Sequence, residues 1–497
     1  MIKSYEFKDG GWEETKDGTE NGPYKIFYKS GNLEEEGIYI NGKKQGRYIM
    51  YYETGEVLQS GSYKHGEFDG IYKSFHKNGN LKEFGGFKSD EADGILEHYN
   101  SRGQLKNQFY INKGEPVHRC TQYDYANNTI SWHEVKRVNR VTFKPGAALC
   151  PGMDPDTVLP DILDYYIYDI AGGVYKIYGE NYNQDTITVV EYLGTYFPKT
   201  FMESQSIFFE IFKSEKIREV FNNKKKIRIL DIGTGPGAPF ILGFVWALKR
   251  HGIVKLLECN LIDRKQEYLD SAEQTLEFFL KETKVIKFKH EFELAGSFKE
   301  EMESLVTKKF DIILSSKMCI EFYNRGITNV FSHLLDYYNC YLEEDGIGVI
   351  NEVTIPSDKT KLFMSKRLAE EVNKYVNIPE AGIDIIMPLT CAFRRRICNK
   401  GKDCFQQNML IFSTSRKQNI CAKFCSRILA KKNFANTVLD SVKQHEVYRT
   451  TFYDKSGKQH QYCTYIHGKH NRYNSLRAVP GSVCYNPFKW NEINERG

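Results

Sequence analysis

Two acids and three glycines make the most chemically specific pattern in the chain. The segment Asp231-Ile232-Gly233-Thr234-Gly235-Pro236-Gly237 joins an apolar run at 227–232 to a second at 240–249. Glycines at a strand-to-helix turn let backbone approach a ligand with no side chain in the way. Asp263 closes the next apolar run, 254–262. A carboxylate at the end of such a strand can accept hydrogen bonds from both hydroxyls of a ribose. A lone G-x-G-x-x-G is shared by dinucleotide enzymes and decides little. Here the third glycine arrives one residue too early for a nicotinamide fingerprint, and an acid precedes the first. A further run, Phe310-Asp311-Ile312-Ile313-Leu314, ends at Ser315, which joins the candidate ligand-binding set.

Cysteine supplies the second pattern. Seven of the twelve Cys lie from Cys391 onward. Three or more thiolates in a reducing compartment can hold zinc or an iron–sulfur cluster, and ordinary unliganded cysteine is the alternative. A catalytic residue is not assigned. Cys319 has the chemistry of a nucleophile, but its type is more often buried and structural. Glu321 has the chemistry of a base, and equally that of a solvated helix carboxylate.

These groups need elements to hold them, and from Lys226 the chain alternates strand and helix. Strands are expected at 227–232, 254–262, 285–292, 310–315 and 347–353, with helices at 240–249, 265–283 and 327–342. Runs at 383–389 and 409–413 supply a sixth and a seventh strand. Strands alternating with helices indicate a doubly wound parallel sheet. With the glycine loop and Asp263, this part, roughly 201–416, resembles the class I S-adenosylmethionine-dependent methyltransferases. The resemblance implies an α/β, Rossmann-like, seven-stranded domain. It also implies that Gly233, Gly235 and Gly237 contact the methionine part of the cofactor, with Asp231 near its amino end and Asp263 on the ribose. The Asn/Asp-Pro-Pro-Tyr/Phe motif of amino-group methyltransferases is absent; Ser315-Ser316-Lys317-Met318 stands after strand four.

The first 115 residues follow another rule. Gly22, Gly46, Gly70 and Gly94 recur every 24 residues, and Gly31, Gly55, Gly79 and Gly103 follow each by nine. Aromatic residues recur between and after them: Tyr24, Tyr48 and Tyr72, then Tyr39, Tyr63 and Phe87. Each unit reads as strand, glycine turn, strand. One hairpin cannot bury its own face, so neighbours must stack into an extended all-β array. The pattern resembles the MORN-repeat variants, often called antitoxin-like repeats. The resemblance implies a scaffold, with a protein partner as its candidate target. Between them, 116–200 reads as a linker or accessory region, strand-like at 129–135 and 186–191 and helical at 161–170.

Charge is uneven. From Cys391 to Gly497 there are 20 Lys and Arg against 6 Asp and Glu, although the whole chain carries only +5. A basic end on an acidic body suits either a nucleic-acid surface or a solubilising face. No apolar run reaches the ~18 residues of a membrane span, and the first residues lack the apolar core of a signal peptide. The expectation is a cytoplasmic protein without a membrane partner. The cysteine arrangement from Cys391 is similar, distantly, to the methyltransferase-like factors that assemble the small ribosomal subunit, although the basic, cysteine-containing extension at 417–497 lacks that family's Cys-Pro-His and Cys-Pro pairs. That family also has a counterpart of Tyr192-Leu193-Gly194-Thr195-Tyr196-Phe197-Pro198. This resemblance implies a metal set of Cys391, Cys398, Cys404 and Cys463, with Cys421 or Cys425 as alternative fourth ligands. The basic end makes RNA or a ribosomal particle the expected acceptor. A small-molecule or protein acceptor, or cofactor binding without turnover, remain the alternatives.

Overall fold

A computed structural model describes residues 2–472, apart from 7–11, 17–20, 117–119, 125–128, 137–139, 143–158, 177–186, 213, 281–282, 294–297, 356–362, 389–390, 393–407, 413, 415, 418–419, 442–446, 454–458 and 468–470. The chain divides into two compact units. One is Met1–Ile170 with Leu248–Val254; the other is Ala171–Ala247 with Lys255–Gly497.

In the first unit, 16 strands form one antiparallel sheet that runs from Ile2–Glu6 to Arg140–Thr142. The 24-residue period sets its register. Gly22 faces Tyr39, Gly46 faces Tyr63 and Gly70 faces Phe87 across neighbouring strands. Two residues on, the order inverts: Tyr24 faces Gly37, Tyr48 faces Gly61 and Tyr72 faces Gly85. The Tyr24 and Tyr48 rings pack closely against Gly37 and Gly61. A Cβ on Gly61 would come within 2.8 Å of the Tyr48 ring. The rings then meet the next aromatic, Tyr24–Tyr39 at 4.5 Å and Tyr48–Tyr63 at 4.6 Å. Polar side chains follow the same period. Tyr28, Tyr52 and His76 each bond a carbonyl 23 residues further on, those of Tyr51, Phe75 and Tyr99.

The sheet extends past the expected limit at 115. Strands Cys120–Asp124, Thr129–Lys136 and Arg140–Thr142 continue it, so part of the expected linker belongs to the array. Residues 161–170 are helical as expected, an α-turn Asp161–Tyr165 running into a π-helix Tyr166–Ile170.

The second unit is built on β1 (Lys226–Ile232), β2 (Leu256–Asp263), β3 (Lys284–Lys289), β4 (Phe310–Ser316), β5 (Leu342–Val353), β6 (Ile383–Met387), β7 (Asn408–Phe412) and β8 (Ile420–Lys431). Their order is β3-β2-β1-β4-β5-β8-β6. The first five are parallel, and β8 lies antiparallel between β5 and β6. The order reverses between β1 and β4, the place where open α/β sheets leave a crevice at their carboxyl ends. Helices among the described residues of this part of the chain include α1 (Val189–Thr195), α2 (Phe197–Ile211), α3 (Glu215–Asn223), α4 (Pro239–Arg250), α5 (Gln266–Phe279), α6 (Phe298–Leu305), α7 (Cys319–Arg325), α8 (Val330–Tyr341), α9 (Met364–Val376) and α10 (Lys432–Asp440).

Two expectations are corrected here. The run at 409–413 forms β7 of this eight-stranded sheet, pairing only with the first half of β8, and the further strand β8, not expected, lies between β5 and β6. The sheet therefore continues past residue 416, where the domain was expected to end. The reason is burial: Phe424, Cys425, Ile428 and Leu429 are buried in β8 despite the basic composition around them. The strand expected at 186–191 is helix α1. Thr188 and Glu191 form a reciprocal capping box, each side chain bonding the other's backbone amide, and this outweighs the β-branched run.

Helix α2 is buried along most of its length. It crosses α4 closely: a Cβ on Gly243 would lie 2.6 Å from Ser204 Cβ and 2.7 Å from the Phe201 carbonyl. Aromatic contacts lock the crossing, Phe208–Phe244 at 4.8 Å and Phe201–Trp246 at 5.6 Å. Beyond the main sheet, Val447–Tyr453, Gln459–His467 and Asn471–Arg472 form a separate three-stranded sheet. No helix among the described residues is long and apolar enough to cross a membrane.

Candidate functional site

The loop after β1 turns on three glycines at positive φ: Gly233 at 73°, Gly235 at 66° and Gly237 at 79°. A side chain in that region is strained, and here it would also collide. A Cβ on Gly235 would lie 2.8 Å from the Tyr192 hydroxyl, and one on Gly237 would lie 2.6 Å from the Phe197 ring. Helices α1 and α2 thus cover the loop. Its amides are held by the neighbouring strand. Gly233 N–H and Thr234 N–H donate to the Ile262 carbonyl at 2.9 and 3.1 Å. Gly235 N–H donates to Asp263 Oδ2 at 2.9 Å, and Lys265 N–H to Asp263 Oδ1 at 3.1 Å.

The loop and the carboxyl ends of β2, β3 and β4 line one cleft of about 720 Å³, measured to its open mouth. Gly233, Gly235 and Asp263 form one part of the wall, with Tyr192 and Tyr268 over them. His290, Glu291 and Phe292 follow from β3. Ser316, Lys317, Met318, Glu321, Phe322 and Arg325 come from the end of β4 and helix α7.

Asp231 sits beneath the loop, 1% exposed, with both carboxylate oxygens lacking a hydrogen-bond partner. Burial, and then the nearby Asp263 charge, push its carboxyl up to about 8. An unpartnered buried carboxylate is costly, and a cationic ligand group would relieve that cost. Asp263 is also raised by burial, opposed by the Gly235 and Lys265 amides.

The structure brings together three of the six residues expected to bind the ligand, Gly233, Gly235 and Asp263. Asp231 lies under the loop and does not line the cleft. Gly237 turns away from the cleft to pack under Phe197 and Leu193. Ser315 is fully buried, because side chains alternate along a strand and Ser316 takes the cleft side. Asp311 serves the far end of β4, where it accepts from Arg228 N–H at 2.7 Å and pairs with Lys224 at 2.9 Å. Tyr192, Arg264, His290 and Lys317 were not singled out as site residues. Arg264 and Lys317 carry a positional signal, one following the acid of β2 and the other following β4.

Cys319 is fully buried and packed in the hydrophobic core of the sheet. Burial, with Glu352 and Glu371 nearby, holds its thiol well above its usual range, which leaves it protonated. Its backbone amide donates to Glu352 Oε1 at 2.7 Å. Glu321 lines the cleft. Of the expected metal set, Cys398 and Cys404 lie outside the described residues. The Cys463 backbone is in the separate sheet, and its side chain lies outside the description. Cys391 packs half-buried against the core, and Cys425 is buried in β8. Among the described residues no group of three or more His, Cys, Asp or Glu is placed to hold a metal.

Residues 20–41, 44–65 and 68–83 match the MORN repeat variant family. The fourth unit keeps the register, with Gly94 opposite Ile111. The second unit has the strand order and antiparallel β8 of the class I methyltransferase fold. Solved structures similar to the chain include a presumed RNA methyltransferase from Pyrococcus horikoshii, at 11% identity, 47% of this chain, 85% of that chain and a TM-score of 0.27. The plantazolicin methyltransferase BpumL in complex with SAH is 14% identical over 54% of this chain and 94% of that one, with a TM-score of 0.26. The METTL16 methyltransferase domain is 11% identical over 44% and 81%, with a TM-score of 0.24. No curated protein matches the chain.

Proposed function

We propose that the second unit binds S-adenosylmethionine in this cleft and transfers its methyl group to RNA or a ribonucleoprotein. The observation that carries the binding claim is the convergence of Gly233, Gly235 and Asp263 on one cleft at the β1/β4 switch point. The residues fit the cofactor on chemical grounds. The Asp263 oxygens accept backbone amides, those of Gly235 and Lys265 among them, and as carboxylate oxygens have further acceptor capacity for ribose hydroxyls. The left-handed glycines leave backbone open to the methionine portion. The unpartnered Asp231 carboxylate beneath the loop would gain from an ammonium group brought close above it. When bound, the cofactor supplies an electrophilic methyl on a sulfonium. The chain's own part is to hold it and to present the acceptor in line, since displacement depends on alignment.

The acceptor reading rests on the end of the chain, where 20 Lys and Arg face 6 Asp and Glu from Cys391 onward. The repeat sheet is assigned a scaffold role, with a protein partner as its target. Calorimetry with S-adenosylhomocysteine tests the cofactor claim, and labelled S-adenosylmethionine incubated with total RNA tests the acceptor. No uptake of the ligand by the purified chain overturns the first. Uptake without labelling of RNA overturns the second and leaves a small-molecule or protein acceptor, or cofactor binding without turnover, as the reading.

A further inference from the structure

Lys317 stands at the exit of β4 in the left-handed region, at φ 57°, an uncommon conformation for a residue with a Cβ. Its amide donates to the Asn351 carbonyl at 2.8 Å, which ties the turn to the end of β5. Its ammonium lies 2.9 Å from the carboxylate of Glu203 and 3.1 Å from Thr200 Oγ1, both on helix α2. The second Glu203 oxygen accepts from Asn351 Nδ2 at 2.8 Å. A charged residue in a helix otherwise buried against aromatic rings needs a reason, and its partners supply one.

The two ends of this ion pair differ in exposure. The Glu203 side chain is 2% exposed and Lys317 21%. Lys317 lines the cleft, and Glu203 does not. Lys317 thus belongs to the β4 wall of a cleft whose other part is walled by Gly235 and Asp263, and its ammonium is anchored by Glu203. The cofactor would occupy that other part, so the acceptor must enter beside Lys317.

We propose that Lys317, held by Glu203, selects the methyl acceptor: it favours a neutral or anionic nucleophile, such as the ring nitrogen or oxygen of a nucleobase, and rejects a protonated amine. A fixed cation within a few ångströms of the acceptor opposes a second cation and stabilises negative charge that remains when a nucleobase gives up a proton. Asp263, Glu291 and Glu321 line the same cleft and offset part of this field, while Arg264 and Arg325 add to it. The inference rests on the cofactor reading above and narrows it.

The test uses the full chain with Lys317 and Glu203 neutralised together, Glu203→Gln with Lys317→Met, so that no buried charge is left alone. Thermal melting and S-adenosylhomocysteine affinity are read first, then transfer of label to total RNA and to polylysine. The expected result is wild-type melting and ligand affinity in the double variant, at least a roughly 10-fold loss of RNA labelling, and no labelling of polylysine by the wild type. Lys317→Arg should keep RNA labelling, and Lys317→Gln, which can still donate to Glu203, should lose it; this pair carries the test if the double variant does not fold. Equal RNA labelling by wild type and neutral variants, preference for polylysine, or ligand uptake with labelling of neither would overturn the inference. Absence of ligand uptake by the wild type is a separate outcome, and it overturns the cofactor reading itself.

Discussion

Asp263 Oδ2 accepts the amide hydrogen of Gly235 at 2.9 Å, so the acid that ends β2 fixes the loop that leaves β1. Its other oxygen accepts from Lys265 at the start of α5. Replacing Asp263 with Ala removes both anchors together with the acceptors for the ribose. Charge-assisted hydrogen bonds are worth roughly 1.5–3 kcal/mol each. The expected outcome is a loss of S-adenosylhomocysteine affinity of at least about 10-fold by calorimetry.

Asp231 gives a pH prediction with a definite sign. Its folded carboxyl is raised to about 8 by burial and by the Asp263 charge, against about 3.9 in the unfolded chain. The folded state therefore binds more protons than the unfolded state between these values. The stability that follows is complete below about 4 and is lost as pH rises through about 8. Glu352, also raised to about 8 by burial, adds to the same trend. The ligand-free protein should melt at a lower temperature at pH 8 than at pH 5.5. Asp231→Asn should weaken this dependence and stabilise the free protein at pH 8.

The ligand should reverse part of that trend. An ammonium group favours the ionised Asp231, so S-adenosylhomocysteine affinity should rise between pH 6 and 8. A single proton release limits the slope to about tenfold per pH unit. Asp231→Asn should flatten the curve and lower affinity throughout. Calorimetry in buffers of different ionisation enthalpy would count the proton released.

Gly235 separates backbone strain from contact. Gly235→Ala places a Cβ 2.8 Å from the Tyr192 hydroxyl at φ 66°. The left-handed conformation alone costs about 1–2 kcal/mol. Adding Tyr192→Ala should remove the collision and leave the backbone term. Melting of the double variant is expected to fall between that of Gly235→Ala and that of Tyr192→Ala.

In the repeat sheet, Gly61→Val forces a branched side chain into the Tyr48 ring, which a Cβ already meets at 2.8 Å. Overpacking of this kind costs about 1–3 kcal/mol. Hydrogen exchange should speed up in Lys43–Tyr51 and Val57–Lys64 before it changes in strands further along the array, because each strand contacts its neighbours.

Local pattern made much of this legible. The period of 24 announced the repeat sheet because each hairpin reuses one side-chain arrangement. The glycine loop and Asp263 announced the cleft because positive φ and a strand-end acid leave plain marks in sequence. The glycines under the tyrosine rings, Gly37 and Gly61, passed unremarked, since their role appears only once strands are in register.

The sequence by itself determined the two architectures, the loop and the acid that faces it. Tertiary structure decided what lies across strands and helices. It placed 420–431 inside the sheet, because the buried side chains of β8 find β5 and β6 on either side. It turned Ser315 inward and Ser316 toward the cleft through the alternation of a single strand. It also joined Glu203 to Lys317 across 114 residues of chain. Sequence spacing records only neighbours along a helix or strand, whereas that ion pair exists because packing of α2 on the sheet removes both partners from most of the water and leaves each as the other's nearest charge.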